Sequence, residues 1–367
     1  MHRGAIAEID LDCISHNLNI IRSITGLPVI AVVKADAYGH GAIGVSRRLV
    51  CEGVWCLAVA YLEEGVKLRE AGINVPILAL FEREEIPALI EYKLIPVIHD
   101  MDMARKISEE AKKREEIIDV HVKIDTGMGR LGLNAGHAID DLMNIINLGN
   151  LRIKGIMSHF SEADMADMDY AMRQISEFGK IRHAIKEKYH NVIFHIANSA
   201  AVFSLKDSHM DAVRPGLALY GYSPFQDARG LSSLHELKPS MTVKTKILAL
   251  RRLSKGTPIS YGRTFMTMRD SLIALLPIGY ADGLMRSLSN NAHVLIGGKR
   301  VPVVGRICMD LTMVDVTGMD VSVGDDVIVM GRQGSEEITA SEIANRAGTI
   351  PYEIITSLGS RSRRFYK

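Results

Sequence analysis

Eight short apolar or β-branched runs recur along the first two thirds of the chain, at Val29–Val33, Val54–Val59, Ile77–Leu80, Ile95–Ile98, Ile118–Ile124, Ile153–Met157, Ile193–Ile196 and Ala212–Arg214. Between them lie segments of helical periodicity, among them Glu63–Glu70, Met101–Arg114 and Asp169–Tyr189. A strand that is apolar throughout, rather than alternating, is covered on both faces. Helices between such strands supply the cover, so the pattern predicts a parallel sheet. Eight repeats over roughly 200 residues match the size of a closed (β/α)8 barrel, a TIM barrel. An open doubly wound sheet is the competing arrangement, and no Gly-x-Gly-x-x-Gly follows the first run to support it.

After about Leu234 the texture changes. Short alternating runs take over at Met241–Leu250, Ser271–Pro277, His293–Ile296, Val301–Val304, Thr312–Val316 and Asp326–Met330, with Gly and Asp between them. That is the pattern of hairpin-rich β structure. One late helix is expected at Ala340–Ala347, with Ser341 or Thr339 as its cap. The reading is α/β: an N-terminal barrel over 1–234 and a β-rich C-terminal domain over 235–367. Ile6–Leu11 alternates like a strand, and residues 1–10 can pack with the second domain. Asp12 is expected to cap a helix through Ile14, Leu18, Ile21 and Ile24, stopped by Gly26-Leu-Pro28.

Composition narrows the partners. The 367 residues are 47% hydrophobic and carry a net charge of +1, enough core for two ordinary domains and no advertisement for a polyanion. Nucleic acid is therefore not an expected partner. Cys13, Cys51, Cys56 and Cys308 form no CxxC pair and no zinc spacing, so they read as reduced, buried thiols and no metal is expected. The N-terminus lacks a basic stretch followed by an apolar one, and no apolar run reaches about 18 residues. The expectation is a cytoplasmic protein with no membrane partner.

In a barrel the chemistry sits at the C-terminal ends of the strands. The first run ends on Lys34, with Tyr38 just beyond. The fifth carries Lys123 and enters Asp125-Thr-Gly-Met-Gly-Arg130-Leu-Gly132. The sixth ends at Ser158-His159, the seventh at Asn198-Ser199, and the eighth at Arg214-Pro-Gly216. Taken singly, Lys34 could be a surface lysine, His159 a core histidine, Arg214 a strand-edge cap and Asn198-Ser199 a helix cap. Taken together, they place an amine of lowered proton affinity, an arginine and an anion-binding turn on one rim. Pyridoxal phosphate (PLP) asks for that set: a lysine for its aldehyde, a cradle for its phosphate and a partner for its ring nitrogen.

The motifs Ala31-Val-Val-Lys-Ala-Asp-Ala-Tyr-Gly-His-Gly41, Lys123-Ile-Asp-Thr-Gly-Met-Gly-Arg-Leu-Gly132, Ser158-His-Phe160, Asn198-Ser199 and Val213-Arg-Pro-Gly216 occur in that order. Ser260-Tyr-Gly-Arg263, Gly279-Tyr-Ala-Asp-Gly283, Gly305-Arg-Ile-Cys-Met-Asp310 and Pro351-Tyr-Glu353 follow. In these motifs the chain resembles the alanine racemases, bacterial PLP enzymes, over nearly its whole length. The resemblance implies a two-base interconversion of L- and D-alanine that supplies D-alanine for peptidoglycan, in a homodimer with shared active sites. Lys34 would carry PLP as a Schiff base and serve as base for the D-enantiomer, and Tyr261 of the other subunit would serve the L-enantiomer. Tyr38, Ser199, the backbone of Gly216 and Leu217, and Tyr352 would hold the phosphate, with Asn198 beside them. Arg214 would meet the ring nitrogen, and Arg130 the phenolic oxygen and the substrate carboxylate, joined by Met309. His159 would stand between Arg214 and the tyrosine base, Tyr280 would line the entrance, and Lys123 matches a lysine often carried as a carbamate. Asp36 and Ser161 depart from the family's commoner asparagine and alanine.

Two bases on opposite faces can exchange the α-proton without either one swinging around. A tyrosine base needs its proton affinity lowered by about three pH units, roughly 4 kcal/mol, to be half ionised near neutrality. Positive charge on His159 and Arg214 is the expected source of part of that. Arginine can only donate, so a ring nitrogen facing Arg214 stays unprotonated, and the electron sink is weaker for it. A PLP-carrying barrel without turnover would lack the second domain, and a two-domain PLP decarboxylase would not need Tyr261. Racemisation of serine or a broader set of amino acids is the alternative reading.

Overall fold

The computed structural model describes residues 4–225 and 236–367. The chain divides into two compact units. One comprises Ile14–Ala35 with Ala42–Lys238, and the other Asp36–Gly41 with Pro239–Lys367 and the described residues through Cys13.

The first unit is the barrel. Parallel strands Ile30–Val32, Cys56–Val59, Ile77–Ala79, Ile95–Ile98, Ile118–Asp125, Leu151–Met157 and Ile193–His195 lie side by side in chain order, and Leu133–Asn134 adds a short pairing outside Ile118–Asp125. Ile30, Ala31, Leu57, Ala58, Ile77, Leu78, Val97 and Val122 are fully buried, as strands covered on both faces require. The eighth run is not a full strand. Asp211–Arg214 lies along its neighbour through Asp211 N–H to Phe194 O (3.0 Å) and Arg214 N–H to Ala197 O (2.8 Å), and it meets the first strand through an isolated bridge of Val213 to Val29 and Val32 N–H to Pro215 O (3.1 Å). Three residues ending in Arg-Pro leave little backbone to pair, because proline has no N–H to give.

The helices present one apolar face each. In Met101–Lys113 the buried residues Met103, Ala104, Ile107, Ser108 and Ala111 recur at helical spacing, and the Asp100 carboxylate accepts from Met103 N–H. The helix Leu11–Thr25 is capped by Asp10, whose carboxylate accepts from Cys13 N–H at 3.0 Å, and not by Asp12, which lies inside it. Gly155 is required by a ring: a Cβ there would collide with His121 of the adjacent strand. Cys56 is buried, but Cys51 is exposed, against the expectation that all four thiols are covered.

The second unit is β-rich. Its larger sheet runs Lys299–Pro302, His293–Ile296, Asp326–Gln333, Met241–Lys246, Ile6–Ile9, Arg363–Tyr366, with Glu336–Ile338 attached to Asp326–Gln333. Ile6–Ile9 pairs antiparallel with Met241–Lys246 and parallel with Arg363–Tyr366. A second sheet joins Ala249–Leu253, Ser271–Leu276 and Thr312–Asp315. Thr339, rather than Ser341, caps the helix Ala340–Ala347 by accepting from Glu342 N–H. A second late helix, Pro351–Arg361, follows the one expected and carries the Pro351-Tyr-Glu353 motif in its first turn. No helix among the described residues is long and apolar enough to cross a membrane.

Between Lys34 and Gly39 the backbone does something unusual. Lys34–Tyr38 is a helical turn of the left hand, with φ between 52° and 55° at Ala35, Asp36, Ala37 and Tyr38. Non-glycine residues pay about 1–2 kcal/mol each for that conformation, so the turn must be held from outside. Asp36 pairs with Arg364 at 2.6 Å, and Arg364 also donates to Gly39 O at 2.9 Å. Gly39 and Gly359 approach so closely that neither could carry a Cβ without moving backbone.

Candidate active site

The rim of the barrel gathers the polar side chains. Lys34 leaves the tip of Ile30–Val32 with its Nζ 5.4 Å from the centre of the Phe81 ring, and the Arg130 guanidinium carbon lies 5.9 Å from the same ring. Burial lowers the proton affinity of the Lys34 amine, Arg130 lowers it further, and Glu64 works against both. Arg130 is placed by its loop. The Asp125 carboxylate accepts from the N–H groups of Gly127, Met128, Gly129 and Arg130, an anion closing a nest of amides.

Lys123 is only 3% exposed, on the same strand as Asp125. Burial, then Arg130 and Arg214, push its amine down to about 8. No ion pair with a carboxylate reaches it among the described residues.

Arg214 is 4% exposed and donates in several directions: to His195 O (2.6 Å), Ser158 O (2.5 Å), Ile196 O (3.3 Å), His195 Nδ1 (2.8 Å) and His159 Nδ1 (3.3 Å). Arginine has nothing to accept with, so Nδ1 of His195 must be the bare nitrogen and its Nε2–H the donor toward His121 Nδ1, 2.9 Å away. Burial, reinforced by the Arg214 charge, keeps His121, His159 and His195 neutral. The positive charge expected of His159 is therefore absent, and Arg214 alone of that pair is charged.

Ser199, buried at the start of Ser199–Ser204, accepts from Gly216 N–H (2.9 Å) and Ala218 N–H (3.2 Å), while the Asn198 side chain caps the helix by accepting from Ala201 N–H (3.0 Å). The turn bearing Gly216 and Leu217 thus meets the Asn198-Ser199 cap, two runs of chain that sequence alone could only assign to one rim.

In the β-rich unit, the Tyr38 and Tyr352 rings pack at a tilt of 44° with centres 6.0 Å apart, and burial pushes the Tyr38 hydroxyl up. Tyr261 is 71% exposed and follows Ser260, whose hydroxyl donates to Arg306 O and lies 3.5 Å from Cys308 Sγ. The same turn accepts Tyr280 N–H at Cys308 O and Ala281 N–H at Met309 O. Tyr261, Tyr280 and Met309 consequently belong to one patch, beside a cavity of about 460 Å³ lined by Ile259, Tyr261, Cys308 and Met313.

Four residues of the rim went unread in the sequence. Glu64 begins a helix with Glu63 beside it, and Phe81 sits in a loop, neither with a sequence context that marks it out. His121 and His195 were visible as polar residues inside apolar runs, a signal that could have found them.

Comparison with known proteins decides the family. The family description "Alanine racemase, N-terminal domain" matches residues 9–224, and "Alanine racemase, C-terminal domain" matches 240–366. The chain belongs to the alanine racemase family. The alanine racemase of Thermodesulfovibrio yellowstonii is 50% identical, the match covering all of this chain and 98% of that one. That of Halothermothrix orenii is 44% identical over all of this chain and 97% of its own. Among solved structures, alanine racemase from Clostridium difficile 630 superposes with a TM-score of 0.92 at 36% identity, covering all of this chain and 96% of that chain. The Bartonella henselae alanine racemase, solved with covalently bound pyridoxal phosphate, gives 0.88 at 31% identity with both chains fully covered. The activity is that of the alanine racemases: this is an isomerase that interconverts the enantiomers of alanine.

Proposed function

We propose that the racemisation runs by two bases, with PLP held on the barrel rim, in a homodimer whose product is D-alanine for peptidoglycan. The observation that carries this reading is the half-buried Lys34 amine of lowered proton affinity on the same rim as a donor-only Arg214 and the Ser199–Gly216 turn. The donor set fits the cofactor group by group. Lys34 would bind the aldehyde. Arg214 would give the ring nitrogen a hydrogen bond and no proton. Ser199, the Gly216 and Leu217 amides, Tyr38 and Tyr352 would hold the phosphate, with Asn198 fixing the helix start.

PLP, when bound, supplies the electron sink that makes the α-proton removable. The chain's own residues do the rest. Lys34 Nζ takes or returns the proton of the D-enantiomer, and the Tyr261 hydroxyl, contributed by the other subunit, that of the L-enantiomer. Arg130 and the Met309 backbone orient the carboxylate, Tyr280 narrows the entrance, and neutral His159 accepts from Arg214 and steadies it. Shared sites accord with the exposure of Tyr261, Met266, Met268 and Met309 on the β-rich unit, large apolar side chains that a second subunit would cover.

Incubation with L-alanine, L-serine and a panel of other L-amino acids, read by chiral chromatography, is expected to show D-alanine formed fastest. Borohydride treatment is expected to fix PLP to the Lys34 peptide. Serine outpacing alanine, or PLP fixed elsewhere, would overturn the reading.

Lys123 is proposed to carry a carbamate. An amine near 8 is partly neutral at cellular pH; the neutral form attacks carbon dioxide and releases one proton, leaving an anion beside Arg130 where the ammonium form would have been a cation. Native mass spectrometry in bicarbonate should then show one added carbon dioxide per chain, lost in Lys123→Arg. An unmodified wild-type mass would refute it.

A further inference from the structure

Glu64 lies in the first turn of the helix Leu62–Glu70, where a carboxylate commonly reaches back to cap its own helix. Only half of this one does so. Oε2 accepts from Ala60 N–H at 2.6 Å, at the helix entry, while Oε1 crosses to the neighbouring strand tip and accepts from Ala35 N–H, also at 2.6 Å. Ala35 is the residue after Lys34 and the first of the left-handed turn. Ala60 O in turn accepts from Phe81 N–H at 2.9 Å, and the Phe81 ring lies beneath the Lys34 amine. One carboxylate therefore ties together the strand tip that carries the lysine, the next tip, and through it the tip that carries the ring.

The charges around Lys34 are one-sided. Arg130 faces it and lowers its proton affinity, and Lys123 and His159 sense its charge from other strand tips of the same rim, one as a buried amine and the other as a neutral imidazole. Glu64 is the anion acting on it among the described residues. We infer that Glu64 is a positioning residue for Lys34, its carboxylate fixing the lysine's backbone through the Ala35 amide and adding negative charge to an otherwise cationic rim. A base stripped of that charge in a cationic, half-dry rim would give the proton up too readily to accept it from an α-carbon.

The inference rests on Lys34 being the cofactor lysine, and the test separates the two. Acetic anhydride labelling of the cofactor-free full chain across pH, with Lys34 read by peptide mass spectrometry against surface lysines in the same sample, gives the midpoint of that one amine. Glu64→Gln, which keeps the volume and one acceptor, is expected to lower the midpoint by about one pH unit, making Lys34 up to about tenfold more reactive below it. Glu64→Ala should move it the same way. Glu64→Asp keeps the charge, so the midpoint should stay with the wild type while PLP capture slows through the shortened reach. Local unfolding would raise the midpoint toward that of a surface lysine, the opposite sign. A midpoint that stays or rises in Glu64→Gln overturns the assignment. Borohydride failing to fix PLP on wild-type Lys34 would instead fail the cofactor reading.

Discussion

Lys34→Ala is expected to lower kcat for alanine racemisation by at least about a thousandfold, a loss of about 4 kcal/mol of transition-state stabilisation. The loss should be equal in both directions when expressed as kcat/KM, because the equilibrium constant between enantiomers is one and no mutation can change it. Tyr261→Phe is expected to cost on the order of a hundredfold or more, since it removes the other proton carrier. If each site takes its lysine from one subunit and its tyrosine from the other, the two dead variants repair each other. In a mixed dimer one site inherits both defects and the other inherits neither. Equal mixing, with subunit exchange verified by native mass spectrometry, should then recover about a quarter of wild-type activity. Mixed dimers that form and stay inactive would show that Lys34 and Tyr261 do not share a site across subunits.

Acid should unfold this protein earlier than its carboxylates alone would dictate. Burial holds His40 and His99 down to about 4 and His121 to about 3, and His159 and His195 are lowered as well. All five are neutral in the fold and take up a proton in the unfolded chain once pH falls below about 6.5. The unfolded chain then binds more protons, so stability falls with pH, by about 1.4 kcal/mol per pH unit for each imidazole, until the depressed folded values are reached. Between pH 6.5 and 5 that is about 1–2 kcal/mol for each of the five. Asp125 and Asp211, whose proton affinities are lowered in the fold, contribute only in the separate window below about pH 4. Urea midpoints should therefore drop steeply from pH 7 to 5, and His121→Leu should flatten the slope. A midpoint constant over that range would contradict neutral burial.

The sequence carried the barrel because burial on both faces writes itself into composition: Ile77-Leu-Ala79 needs no alternation, and shows none. The rim lysine was legible for the same reason, as a charge ending an apolar run. What stayed hidden was held by backbone. Nothing in Ala35-Asp-Ala-Tyr38 announces a left-handed turn, since no glycine occupies it and its support comes from Arg364 and Gly359, hundreds of residues away. Glu64 acts on two amides, and amides have no letter in a sequence. The helix Pro351–Arg361 was masked by Ser and Gly at 357, 359 and 360, residues that read as loop until Ile354, Ile355 and Leu358 are seen buried together.

The pairing of Ile6–Ile9 with Arg363–Tyr366 has a consequence in time. Ribosomal synthesis delivers Ile6–Ile9 long before its antiparallel neighbour Met241–Lys246, and longer still before its parallel neighbour Arg363–Tyr366. The barrel's strands can assemble while the chain is still emerging, each new one beside the last. The sheet that holds Tyr261's unit together cannot be completed until Arg363–Tyr366 has emerged, and its earliest strand must wait with one edge open even after Met241–Lys246 has paired with the other.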